Sequence, residues 1–154
     1  MSQNDIKNIK IANEILIPEI IRLLEQGHTV TLKVKGYSMR PFLEHERDDV
    51  LLAAAKDIRI GDAVLAEVAP KCYVLHRLIK NNNGDVTLLG DGNLTPEHCK
   101  FTDIHGKAIG FYRKGNTQPD SCNDTKWKIY SWIWTRLFPI RRYLLWIHRK
   151  ILKL

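Results

Sequence analysis

Apolar and polar positions along the chain change period twice. In IPEIIRLLEQGH, residues 17–28, Ile17, Ile20, Ile21 and Leu24 recur at helical spacing. Pro18 suits a first turn and Gly27 suits a stop, which predicts a short helix here. The stretch from Asp5 to Leu16 is a second helical candidate, with Pro18 as the break or kink between the two. From residue 29 the period falls to two. TVTLKVKG (29–36) alternates and is β-branched, so it predicts a strand.

More short strands follow. VLLAAA (50–55), AVLAEV (63–68), CYVLHRLIK (72–80), DVTLLG (85–90) and HGKAIGFYRK (105–114) are expected strands. NNNG (81–84) is a hairpin signal, because Asn and Gly tolerate positive φ. GNTQPDSCND (115–124) has the composition of a linker. The pattern predicts a mainly β domain of antiparallel strands, since helical crossovers for a parallel sheet are missing. The expected organisation is an N-terminal helical segment (1–28), a β domain (29–114), a linker (115–125) and a tail (126–154).

The tail changes the picture. The chain of 154 residues carries a net charge of +7, but residues 126–154 alone hold eight Lys/Arg and no Asp/Glu. The body is therefore near neutral. All four tryptophans also lie in the tail. From a start at Pro139, Ile140, Tyr143, Leu144, Ile147, Ile151 and Leu154 share one helical face, with Arg141, Arg142, Arg149 and Lys153 mostly opposite. Arginines interrupt every apolar run, so a transmembrane span is not expected. Two readings stand: a basic helix lying on an anionic membrane surface, or a helix packed on the domain or on a partner subunit. Nucleic acid is disfavoured as a partner, because about 28 residues before the first strand are too few for a helix-turn-helix domain.

The three cysteines lack metal-ligand spacing and read as reduced thiols. The first ten residues contain no apolar signal-peptide region. These features give an expected cytoplasmic location, with the inner membrane face as a possible site of work.

Candidate chemistry gathers around Ser38 in GYSMRPFL. A serine hydroxyl is a weak nucleophile and needs a base within hydrogen-bond reach. His76 stands inside an otherwise apolar strand and has the right proton affinity for that work. Asp91, in the Gly-bracketed turn LLGDGN (88–93), supplies a carboxylate that can orient an imidazole. Met39 and Phe42 are candidates for lining a substrate cleft, with a core role as the alternative.

Four boxes occur in order: SMRP (38–41), IGD (60–62), VLHR (74–77) and LLGDGN. Together, over roughly residues 29–112, they resemble the signal peptidase superfamily, which also contains the LexA-type self-cleaving repressors. The resemblance implies a fold of coiled antiparallel sheets and a serine endopeptidase needing no metal or organic cofactor. Ser38 matches the nucleophile and His76 the base, as in the Ser–His branch of endoplasmic-reticulum and archaeal signal peptidases. Arg77 matches a structural or ion-pairing arginine. The family's acid falls near Glu97, so Asp91 and Glu97 both remain candidates for the third member. A non-catalytic relative, acting as a membrane- or partner-binding module, is the alternative function. The tail also distinguishes the chain from ordinary signal peptidases, which are anchored by an N-terminal span.

Overall fold

The computed structural model describes residues 13–152. Residues 5–12 of the helical candidate at Asp5–Leu16, and Lys153 and Leu154 of the tail, lie outside the described residues, and the rest of that candidate opens the first helix. Helix α1 runs Asn13–Glu25. Strands follow as β1 (Val30–Lys33), β2 (Asp49–Ala54), β3 (Ala63–Ala69), β4 (Cys72–Asn82), β5 (Asp85–Leu89), β6 (Glu97–Lys100), β7 (Ile104–Tyr112) and β8 (Asp120–Ser121). Two helices close the chain, α2 (Thr125–Arg136) and α3 (Arg141–Leu152). A 3-10 turn at Phe138–Ile140 joins them.

All pairings are antiparallel. The order is β1-β2-β7-β3-β4-β5-β6, with β8 added beside β7. Register slips at Leu51/Leu52, Leu65/Ala66, Glu67/Ala69 and Leu78/Lys80 mark bulges. Each bulge bends its strand and increases the local twist. Strand β4 changes partner midway: residues 72–77 pair with β3 and residues 77–82 with β5.

Helix α1 runs through Pro18 and does not break at it. The apolar stripe explains this, because Ile17, Ile20 and Leu24 on either side of the proline are all buried. Gly27, at φ +87°, ends the helix with a reversal in which the His28 N–H donates to the Leu23 carbonyl. The NNNG hairpin forms as expected, with Asn83 and Gly84 both at positive φ. Two strands escaped the sequence pattern. Strand β6 is four mostly polar residues at a sheet edge, where one face meets water and alternation is not demanded. Strand β8 lies in the segment expected as linker and is fixed by pairing with Gly110 and Phe111. The tail also departs from expectation: it forms two helices, and the first begins at Thr125, well before Pro139.

Two apolar clusters form the core. One joins α1 to β1, β2 and the Met39–Leu43 segment; the other lies between β3, β4 and β5. Phe42 packs edge-on to Phe111 and Trp127 and stacks on Tyr130 of α2. The three cysteines are unpaired, and burial pushes the Cys122 thiol up to about 11.

The segment between β1 and β2 has no strand or helix to satisfy its backbone. Asp48, fully buried, takes over part of that task. Its carboxylate accepts from the Glu44 N–H (3.0 Å), from Arg47 (2.8 Å) and from Arg113 (2.6 Å). Burial works against the charge. The Arg47 hydrogen bonds, the Glu44 N–H and Arg113 outweigh it and hold the carboxyl below its ordinary value of 3.8. The stabilisation is therefore complete above about pH 5 and is lost as pH falls through 3.8 and then through the lower folded-state value. Asp48→Asn is expected to lower stability near neutral pH, and its deficit against wild type is expected to shrink below about pH 4. Urea unfolding across pH measures both.

Candidate active site

The site is built on three backbone features. The first is the segment after β1. Gly36, at φ +87°, turns the chain, and its N–H donates to His45 Nδ1 at 2.8 Å. Ser38 follows, half-buried, with Met39 buried behind it. The Leu43 N–H closes the turn onto the Met39 carbonyl at 2.9 Å.

The second feature is the Gly90-Asp91-Gly92 turn after β5. The Gly92 N–H donates to the Ser38 carbonyl at 2.8 Å. A Cβ on Gly90 would stand 2.3 Å from that carbonyl oxygen, and a Cβ on Gly92 would stand 2.4 Å from the Tyr37 carbonyl oxygen. Both glycines are required by close backbone approach, since no side chain fits there. The GDGN box thus holds the segment that carries the serine.

The third feature is β4, where His76 and Arg77 are neighbours. Successive strand residues point to opposite faces, so the two side chains serve different surroundings. His76 is buried, and its Nδ1 meets Glu97 Oε2 at 2.5 Å. Glu97 opens β6, opposite Leu88 of β5. Arg77 forms a fork with Asp91: Nε to Oδ1 at 2.8 Å and Nη2 to Oδ2 at 2.6 Å. The two candidate carboxylates therefore divide. Glu97 is the partner of the histidine, and Asp91 is the partner of the arginine.

Ser38, Met39 and His76 line one cleft of about 450 Å³, together with Leu32, Val34 and Leu75. Phe42 lies elsewhere, in the aromatic core beneath α2. Neither the Ser38 hydroxyl nor His76 Nε2 is hydrogen-bonded to a described residue. The Ser38 N–H likewise has no acceptor among the described residues.

Tyr130, Ser131 and Trp134 of α2, to which the sequence pattern gave no place at the site, complete the frame. Arg77 Nη1 donates to the Gly61 carbonyl at 2.7 Å and to Ser131 Oγ at 2.6 Å. The Tyr130 hydroxyl donates to Asp91 Oδ2 at 3.2 Å, and Trp134 Nε1 donates to the Asp91 carbonyl at 3.0 Å. Tyr130, Ser131 and Trp134 all come from α2, so the first tail helix packs inward on the site. The density of aromatics in the tail was the available signal, and it does not say which of them face the domain.

Burial opposes the Arg77 charge, but the Asp91 carboxylate beside it prevails and holds the guanidinium above its ordinary range. Burial, reinforced by Asp91, raises the Tyr130 phenol so that it stays a donor. Arg141 opens α3 and is fully buried, not on the outward polar face. It donates to the Trp134 carbonyl at 2.8 Å and lies over the Trp134 and Phe138 rings.

No protein-family model matches the chain, and no curated protein matches it significantly.

Asp91→Asn leaves the Arg77 charge buried without its counter-ion. It is expected to cost roughly 3–5 kcal/mol in chemical denaturation. Replacing both partners, as Arg77→Met with Asp91→Leu, is expected to recover much of that stability, because the desolvated charge leaves with its partner. A double variant no more stable than Asp91→Asn contradicts this account.

Proposed function

We propose that this protein is a serine endopeptidase of signal-peptidase-like type, cutting a peptide or precursor protein. One observation carries the reading. His76 is tied through Nδ1 to the Glu97 carboxylate, and it lines the same cleft as Ser38 with its other nitrogen unengaged.

In this mechanism Ser38 is the nucleophile, His76 the general base and Glu97 the orienting acid. His76 Nε2 takes the hydroxyl proton as Ser38 Oγ attacks the peptide carbonyl carbon. The Glu97 carboxylate holds the ring in the tautomer that bears a proton on Nδ1, and it stabilises the imidazolium. The imidazolium returns the proton to the leaving amine as the C–N bond breaks. Water, deprotonated by the same histidine, then attacks the acyl carbon, and the imidazolium returns the proton to Ser38 Oγ as the ester C–O bond breaks. The unengaged Ser38 N–H is the natural donor to the developing oxyanion. Asp91 acts at a distance in this scheme, by fixing Arg77 and the turn that holds Ser38. No metal or organic cofactor enters any step.

The substrate is expected to bind as an extended strand. Among the described residues, strand β1 pairs only with β2, and residues 72–76 of β4 pair only with β3, so each has an edge without a described strand partner. Both strands border the cleft. Main-chain pairing to such edges is an ordinary way to hold a peptide. Lys35 and Lys71 also border the cleft, which favours acidic side chains in the bound segment.

Incubation with a peptide mixture, followed by mass-spectrometric mapping of new termini, tests the reading. Wild type is expected to cut, and Ser38→Ala and His76→Ala are expected to lose cleavage. Glu97→Gln is expected to lower turnover by about 10²–10⁴-fold while leaving the fold intact. Cleavage that persists in Ser38→Ala overturns the assignment. A wild type that captures peptides without cutting them supports the non-catalytic relative.

A further inference from the structure

The two tail helices have an inner and an outer face of different chemistry. The inner face is Trp127, Tyr130 and Trp134 of α2, with Arg141 and Leu145 of α3. The two helices and the Phe138–Ile140 turn between them carry ten exposed large apolar side chains, among them Trp132 (59% exposed), Tyr143 (63%), Trp146 (57%) and Ile151 (63%). On α3 the stripe through Tyr143, Ile147 and Ile151, continued by Ile140 of the turn before it, is exposed to solvent. A helix that only capped the domain would turn such a stripe inward. Exposed apolar surface of this extent marks an interaction site.

The charge around it selects the partner. Lys126, Lys128, Arg136, Arg142, Arg149 and Lys150 are all exposed, and residues 125–152 contain no acidic residue. Arg136 lies 4.4 Å from the centre of the Trp132 ring, and Lys150 lies 5.4 Å from that of Trp146. Tryptophan beside a cation suits the boundary between lipid headgroups and acyl chains. Among the described residues no helix is long and apolar enough to cross a membrane. Basic amphipathic helices that carry tryptophan beside cations suit the interface plane of a bilayer more than its interior.

We propose that the outer face of α2 and α3 docks on an anionic lipid bilayer, with the apolar side chains among the acyl chains and the cations among the headgroups. This inference stands apart from the peptidase reading. It does place the bilayer about one helix diameter, roughly 10–12 Å, from the Arg77–Asp91 pair, because α2 touches both.

Co-sedimentation of the full chain with vesicles is the test. Equimolar phosphatidylcholine and phosphatidylglycerol is compared with pure phosphatidylcholine. The protein is expected to bind the anionic vesicles, to bind the neutral ones far more weakly, and to be released by salt. Trp132→Glu with Trp146→Glu, and separately Arg142→Glu with Arg149→Glu, are each expected to weaken binding at least about tenfold. All four positions are exposed, so circular dichroism is expected to be unchanged. Either variant binding like wild type overturns the proposal. So does failure of wild type to bind anionic vesicles. Concentration-dependent dimerisation that the tryptophan changes abolish, without vesicle binding, also overturns it by assigning the face to a second copy of the chain.

Discussion

The Arg77–Asp91 pair is the constraint on which the rest of the site depends. Both side chains are withdrawn from water, and both residues hydrogen-bond to the first tail helix. Arg77 reaches from β4 to the Gly61 carbonyl before β3 and to Ser131 of α2. Asp91 reaches from the glycine turn to Tyr130 and Trp134 of α2. A buried ion pair adds little net stability over well-packed apolar residues, but it penalises any arrangement that separates its charges. Here that penalty fixes β4, the glycine turn and the first tail helix against one another. The turn in turn holds the Ser38 carbonyl, and β4 carries His76.

That arrangement explains why adjacent residues on one strand do unrelated work. His76 and Arg77 point to opposite faces of β4, and each finds a carboxylate. The Asp91 carboxylate is fully enclosed by donors. Glu97 stands at a sheet edge, about a third exposed, with the imidazole as its side-chain partner. A carboxylate saturated by a guanidinium and a phenol has little left for an imidazole, whereas Glu97 has. The tail is likewise divided. Its inner face braces the ion pair and covers Phe42, and its outer face leaves apolar and basic groups in solvent. The tail is therefore part of the domain's structure whatever else it binds.

Much of the fold was legible in the sequence because the signals were local. Alternation marked β1, short strand-like runs between turn signals marked β2 to β5 and β7, and Asn83-Gly84 marked the hairpin through its positive φ. Gly90 and Gly92 stood out, although the close backbone approach that requires them appears only once Tyr37 and Ser38 lie against them. What stayed hidden depended on long-range pairing. Nothing in LTPEHCK announces an edge strand, so the sequence alone left the choice between Asp91 and Glu97 open. The four-residue pairing of β6 with β5 carries Glu97 to His76. Helical periodicity found the apolar stripe of α3 but not its direction. Arg141, assigned to the polar face, is buried because the rings of Trp134 and Phe138 receive it. Pro18, expected to break or start a helix, lies within α1 because tertiary burial outweighs one lost hydrogen bond.

The central claim is that this framework activates Ser38. The most direct measurement is the intact mass of the protein after exposure to a serine-directed acylating electrophile, on wild type, Ser38→Ala and His76→Ala. A single adduct on wild type, absent from both variants, is the predicted result. No adduct on wild type, or equal labelling of all three proteins, contradicts the claim.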